Sequence, residues 1–251
     1  VINKHNVTIK GLNPGMRSNI DVNGINDLLG PGGGSKLVAR NAEAAIKVET
    51  GMKGVKIMNL MVSGGTEAKN IGIHFAGATD NGMLSNIIGI NLHTGVKIEQ
   101  AKNMQIVNCW VCELPNSIEL IGGENIVVKN CQLGAQPTGI TCKVQEVNKL
   151  SFINNQVYPD GRENLVLDAC NNCVIEGNNF KSYYNGILVL NGNDNTVNKN
   201  IFWLTGAVQN QLLDHGDDFG IINVKGNNNM VASNSLSCEW AYAGAVTVNA
   251  V

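Results

Sequence analysis

Ionisable side chains are scarce in this chain, so where they gather is informative. Lys and Arg number 18 and Asp and Glu 20 in 251 residues, with 4 His. One gathering is Glu119, in the stretch Asn116 to Leu120 (NSIEL), together with His74, Lys97 and Thr141, which occupy the middle of similar short apolar stretches elsewhere. A carboxylate with a cation one strand away is either an ordinary surface pair or an acid–base site, and in a repetitive protein the surface pair is the commoner. A second gathering tips the balance toward chemistry. The stretch WLTGAVQNQLLDHGDDFG concentrates Asp214, His215, Asp217 and Asp218 in a chain only 15% charged. Long loops on a rigid scaffold tend to carry function.

The elements that must position these groups form a repeat. An apolar residue, a small or amide residue three later and an apolar residue two after that recur as Ile106/Cys109/Val111, Val128/Cys131/Leu133, Phe152/Asn155/Val157, Ile175/Asn178/Phe180, Val197/Asn200/Phe202 and Val231/Asn234/Leu236. The middle positions are spaced by 22, 24, 23, 22 and 34 residues, and only the last step needs an insertion. Such a period means a solenoid. Ile9/Leu12, Ile57/Leu60/Val62 and Met83/Asn86/Ile88 extend it, and a degenerate turn near Lys36 to Val38 would bring the total to about ten. Each turn carries a further short strand, such as Gly95-Val-Lys-Ile or Gly186-Ile-Leu-Val. Three short strands and three bends per turn define an all-β parallel β-helix, read as one domain over residues 1–251 with an inserted loop at about 203–219. Asn155, Asn178 and Asn200 should stack as a buried amide ladder.

Composition supports this. Glycine is 29 and proline 5 of 251, aromatics are 5% and apolar residues 43%, so the core is built from Val, Ile and Leu between many tight turns. The near-balance of charge leaves no basic face for nucleic acid. No apolar run reaches the roughly 18 residues that span a bilayer, and no charged leader with an apolar stretch opens the chain. Val1 to Ile9 is already strand-like, as expected of a chain whose earlier part has been trimmed. GPGGGS, Gly30 to Ser35, has no closing Lys-Ser or Lys-Thr and reads as a surface turn rather than a phosphate loop. Seven cysteines are an odd count for a disulfide framework. Cys109/Cys112 and Cys170/Cys173 have a zinc-like spacing, but small buried thiols are the stronger reading and no metal or other cofactor is expected. Reduced cysteines favour the cytoplasm.

Six stretches carry a family likeness: VINKHNVTIKGL (1–12), RSNI (17–20), NSIEL (116–120), YPDGR (158–162), YYNGILVLNG (183–192) and DDFGIINVKGNNNMV (217–231). With them the chain resembles the inulin fructotransferases and the related difructose dianhydride hydrolases, bacterial enzymes that are right-handed parallel β-helices assembled as trimers, and the resemblance implies that hand here. The resemblance implies action on a β-2,1-linked fructan end, with release of a cyclic difructose dianhydride, or hydrolysis of that product. It implies a homotrimer with each site between two subunits, and transferases of the family are often secreted. The family glutamate falls on Glu119, which would protonate the leaving oxygen, a role that calls for a raised pKa. The family's second carboxylate falls eleven residues earlier, on Asn108, which cannot ionise. Either Asn108 orients the sugar, or Glu113 substitutes, or the activity is altered. Arg162, Tyr184, Asp217 and Asp218 are the implied substrate contacts, with His74 and Lys97 beside Glu119.

Two other readings stand beside this one: a pectinase-like hydrolase, for Asp217/Asp218 beside His215, and a non-catalytic carbohydrate-binding β-helix, for Asn108. An apolar outer column such as Val166 and Leu188, and the open sheet edges at the solenoid ends, would need covering by neighbouring subunits.

Overall fold

The computed structural model describes residues 1–12, 35–39, 42–64, 69–184, 186–205, 220–239 and 244–249. Strands of successive turns pair in parallel along three faces. On the first face Ile9, Ile57, Leu84, Ile106, Val128, Phe152, Ile175, Val197 and Val231 stand one above another. The second stacks Leu37, Val62, Gly89, Val111, Leu133, Val157, Phe180, Phe202 and Leu236. The third stacks Ile46, Ile73, Val96, Ile118, Cys142, Leu165, Leu188, Ile222 and Val246. The protein is a parallel β-helix, as its repeat predicts. Among the described residues no helix is long and apolar enough to cross a membrane.

The turn count falls short of the expected ten. Thr8–Lys10 pairs directly with residues 56–58, and Lys36–Val38 with residues 61–63. Lys36–Val38 therefore shares a turn with Thr8–Lys10 instead of making one of its own. The expected inserted loop at about 203–219 lies outside the described residues from 206 onward; Trp203 and Leu204 complete the strand Ile201–Leu204.

Alternation of side chains sends every second residue inward. In Ala44–Val48 the first, third and fifth residues are buried and Ala45 and Lys47 only half-buried. One continuous core then runs from Ile2 to Val224. Phe152, Phe180 and Phe202 stack inside it, with ring centroids 6.1 and 4.9 Å apart. A second small cluster, Met61, Ile88 and Ile90 against Trp110, forms on the outer side of the second face.

The chain is rich in Asn for two reasons. Corners require positive φ, which Asn tolerates better than other side chains. Asn59, Asn86, Asn108, Asn130 and Asn154 hold one corner in this conformation at φ near 55°. Inside, the expected ladder is present. Asn155 Nδ2 donates to Asn178 Oδ1 at 3.0 Å, Asn178 Nδ2 to Asn200 Oδ1 at 2.9 Å, and Asn200 Nδ2 to Asn234 Oδ1 at 3.0 Å. Each Nδ2 also donates to a core carbonyl: Val128, Phe152 and Ile175 in turn. Cys131 and Cys109 continue the column, and the Cys131 N–H donates to Asn155 Oδ1 at 2.9 Å. A second ladder, absent from the sequence reading, joins Cys173, Asn195 and Asn229.

Candidate functional site

Loops of unequal length join the second face to the third, and they gather on one edge. Residues 112–115, 134–139, 158–162, 183–184 and 186–187 all lie there. Asp214, His215, Asp217 and Asp218, in the segment 206–219, lie outside the described residues. So do RSNI (17–20) and Gly30 to Gly34.

Between these loops Cys112, Glu113, Gly134, Ala135, Tyr158 and Asp160 line a pocket of about 100 Å³. Glu113 is held there by an irregular backbone. Its φ is 65°, and the strand pairing slips on either side of Leu114. Left-handed residues occur at many corners of the stack, Glu146 at φ 55° among them, but at Glu113 the conformation coincides with the break in pairing. Asp160 sits at the exposed rim. Partial desolvation against the pocket wall, and then the negative charge of Glu113, push its carboxyl above the usual range. Tyr184 is buried and Tyr183 half-buried; burial first, then the charge of Asp160, raises both phenols. Arg162 Nε lies 3.5 Å from Glu163 Oε1 on the same edge.

Glu119 lies on the outer side of the third face, close to this edge. Ser117, two residues before it and fully buried, ties the face to the loops: its Oγ is 2.7 Å from the carbonyls of Val111 and Gly134. At about 3.3 Å per residue, Glu119 is only about 6.6 Å further along the strand. Its column reads Lys47, His74, Lys97, Glu119, Lys143, Val166, Val189, Asn223. His74 and Lys97 are where the sequence places them. Thr141 is not: it is fully buried, and Lys143 takes its place. Leu188 likewise points into the core, and Val189 is the outward partner of Val166.

His74 and Lys97 converge on a further acid. His74 Nε2 lies 2.8 Å and Lys97 Nζ 3.1 Å from the Glu99 carboxylate, and His74 Nδ1 is 3.7 Å from Glu43. For Glu99, burial pushes the carboxyl up, but hydrogen bonds from His74 and Lys97 and their charges together outweigh it and hold the group below its ordinary value. Asn108 is placed apart from this constellation. It is an exposed corner residue at φ 56°, its N–H bonded to the Lys129 carbonyl, one of the column of corner asparagines between the first and second faces.

The site therefore gathers Glu113, Arg162 and Tyr184 on the loop edge and His74, Lys97 and Glu119 on the adjoining face. Asp160 was missed by sequence reasoning although YPDGR contains it. Its one signal is an acid in a Pro-Asp-Gly turn beside an aromatic, and nothing local places that turn against Glu113.

Fold and site together define a parallel β-helix with a carboxylate- and tyrosine-lined edge. The family model described as periplasmic copper-binding protein (NosD) matches residues 109–241, and the chain belongs to that family. No curated protein matches the sequence. Among solved structures, DFA-IIIase from Arthrobacter chlorophenolicus in complex with GF2 is similar over 100% of this chain and 67% of that one, at 21% identity and a TM-score of 0.83. The same enzyme without its lid is similar over 100% and 71%, at 21% identity and a TM-score of 0.79. The Dettilon tailspike protein is similar over 85% and 60%, at 13% identity and a TM-score of 0.50. These likenesses are of fold.

The family description names copper. Among the described residues no group of three or more His, Cys, Asp or Glu side chains is disposed to hold a metal ion. Thiols suit copper(I), but Cys109, Cys131, Cys170 and Cys173 are core residues whose Sγ atoms face backbone carbonyls at 3.3–3.4 Å. The described residues do not fit a copper centre.

Proposed function

We propose that this protein is a fructan-active enzyme that cleaves β-2,1-linked fructan ends to a cyclic difructose dianhydride, or hydrolyses such a dianhydride. The observation that carries this reading is the pair Glu113 and Asp160 lining one tyrosine-walled pocket beside the strand of Glu119. Cleavage of a glycosidic bond uses two carboxyl groups, one to protonate the leaving oxygen and one to act on the opposite side. By resemblance Glu119 is the proton donor. Asn108 cannot supply the second carboxylate, and Asp160 does: partial desolvation and then the charge of Glu113 make it a stronger base, fit to take the proton from the hydroxyl or water that closes on the anomeric carbon. Tyr184, Arg162 and the Asp217/Asp218 segment contribute sugar contacts, with Lys97 one strand and His74 two strands from Glu119. The similar DFA-IIIase has been crystallised with DFA-III, which agrees with a substrate of this class. Resemblance further implies a homotrimer with each site between two subunits.

Incubation with inulin, difructose dianhydride III and polygalacturonate, followed by mass spectrometry, tests the reading. A dianhydride from inulin, or difructose from the dianhydride, is expected. Products from polygalacturonate alone, or from none of the three, overturn it.

A further inference from the structure

Beyond the carboxylates, the outer side of the third face carries a groove. It has a volume of about 330 Å³, within the roughly 300–1,000 Å³ of small-ligand sites. We infer that this groove is a separate subsite for the distal sugar units of a neutral fructan chain; the inference rests on the function proposed above and names how that substrate is held.

Three observations carry it. First, the groove continues the row of Glu119: Lys143 is one strand on, and the floor residues Val166 and Val189 are two and three strands on. At about 4.8 Å per strand, Val166 is about 10 Å from Glu119 along the axis, so a chain with one end at the carboxylates reaches the floor with its next units. Second, the floor and rim suit a sugar. The two half-buried valines offer an apolar strip to ring C–H groups, while Lys143, Lys225, Asp168 and Asn191 offer donors and acceptors to hydroxyls. Asn191 Nδ2 donates to Asp168 Oδ1 at 2.8 Å, which fixes the carboxylate and leaves its other oxygen to accept. Third, the lining carries mixed charge: Lys143 and Lys225 stand against Asp168, with Glu119 one strand from Lys143 just outside it, so no strong field of one sign selects an ion. An uncharged occupant suits it.

The test is calorimetric binding of inulin-type di-, tri- and pentasaccharides to the intact protein, alongside galacturonate oligomers of the same lengths. Affinity is expected to rise about tenfold from the di- to the pentasaccharide. Val189→Trp, which fills the floor, and Asp168→Asn, which weakens the rim acceptor without adding bulk, should both flatten that rise, with folding checked by far-ultraviolet circular dichroism. A wild-type protein with no length dependence, a folded Val189→Trp that keeps it, equal binding of the galacturonates, or loss of an oligomer in Val189→Trp would each overturn the subsite. Turnover separates the two proposals. Conversion of inulin or the dianhydride without length-dependent binding sinks the groove alone, and length-dependent binding without any conversion keeps the groove and sinks the enzymatic reading.

Discussion

At the scale of single residues, the site turns on which carboxyl holds a proton. Glu119→Gln keeps shape and hydrogen bonding but removes the transferable proton, so turnover is expected to fall by roughly 10² to 10⁴ while sugar binding survives; full activity would remove Glu119 from the mechanism. The role of Asp160 as base fixes the acid limb of the pH–rate profile, because the base must be ionised to work. Since the negative charge of Glu113 is one cause of its raised pKa, Glu113→Gln should move that limb to lower pH. Rate measurements across the acid range read the shift, and a shift upward would contradict the pairing. The stability consequence has a definite sign. A carboxyl whose folded-state pKa exceeds its unfolded value contributes stability below that unfolded value, about 3.9, and loses it as pH rises through the folded value. Asp160→Asn should therefore melt higher than the wild type at neutral pH and lose the advantage in acid. Asn108 behaves differently from either acid. As a left-handed corner residue it should tolerate Asn108→Asp without gain of activity, whereas Asn108→Val should cost about 1–2 kcal/mol in chemical denaturation, because a β-branched side chain resists positive φ.

At the scale of elements, the amide ladder sets the register of the stack. Asn178 is bonded on all sides: its Nδ2 donates to Phe152 O and Asn200 Oδ1, and its Oδ1 accepts from the Asn155 N–H and Nδ2. Asn178→Ala leaves these buried groups without partners, each at a cost of about 1–3 kcal/mol. A loss of several kcal/mol in urea unfolding is expected, larger than for an exposed corner such as Asn130→Ala. Equal losses would mean that the ladder adds nothing beyond its backbone. The loop edge is the converse case. There the backbone departs from the regular stack at Glu113, and the irregularity aims a carboxylate into the pocket instead of continuing the sheet.

At the scale of the whole molecule, assembly decides whether a site is built from one chain or shared between chains. The trimer that the family resemblance implies should appear by light scattering as a mass near three times the 26.8 kDa of the chain. A monomer at micromolar concentration would count against sites shared between subunits. The fold was legible in the sequence because its signals are local: the alternation of inward residues, the small or amide residue three positions on, and the period of about 23 residues each survive in a short window. The ladder of Asn155, Asn178, Asn200 and Asn234 was readable for the same reason. What only the tertiary structure decided depends on loop lengths between faces. Val111 and Ile118 are seven residues apart, but Leu133 and Cys142, their partners in the next turn, are nine apart. That extra pair moves the neighbour of Glu119 from Thr141 to Lys143 and folds Thr141 into the interior. The same unequal loops bring Asp160 against Glu113 across 47 positions of sequence, a juxtaposition that no periodicity encodes, because it arises where the period is broken.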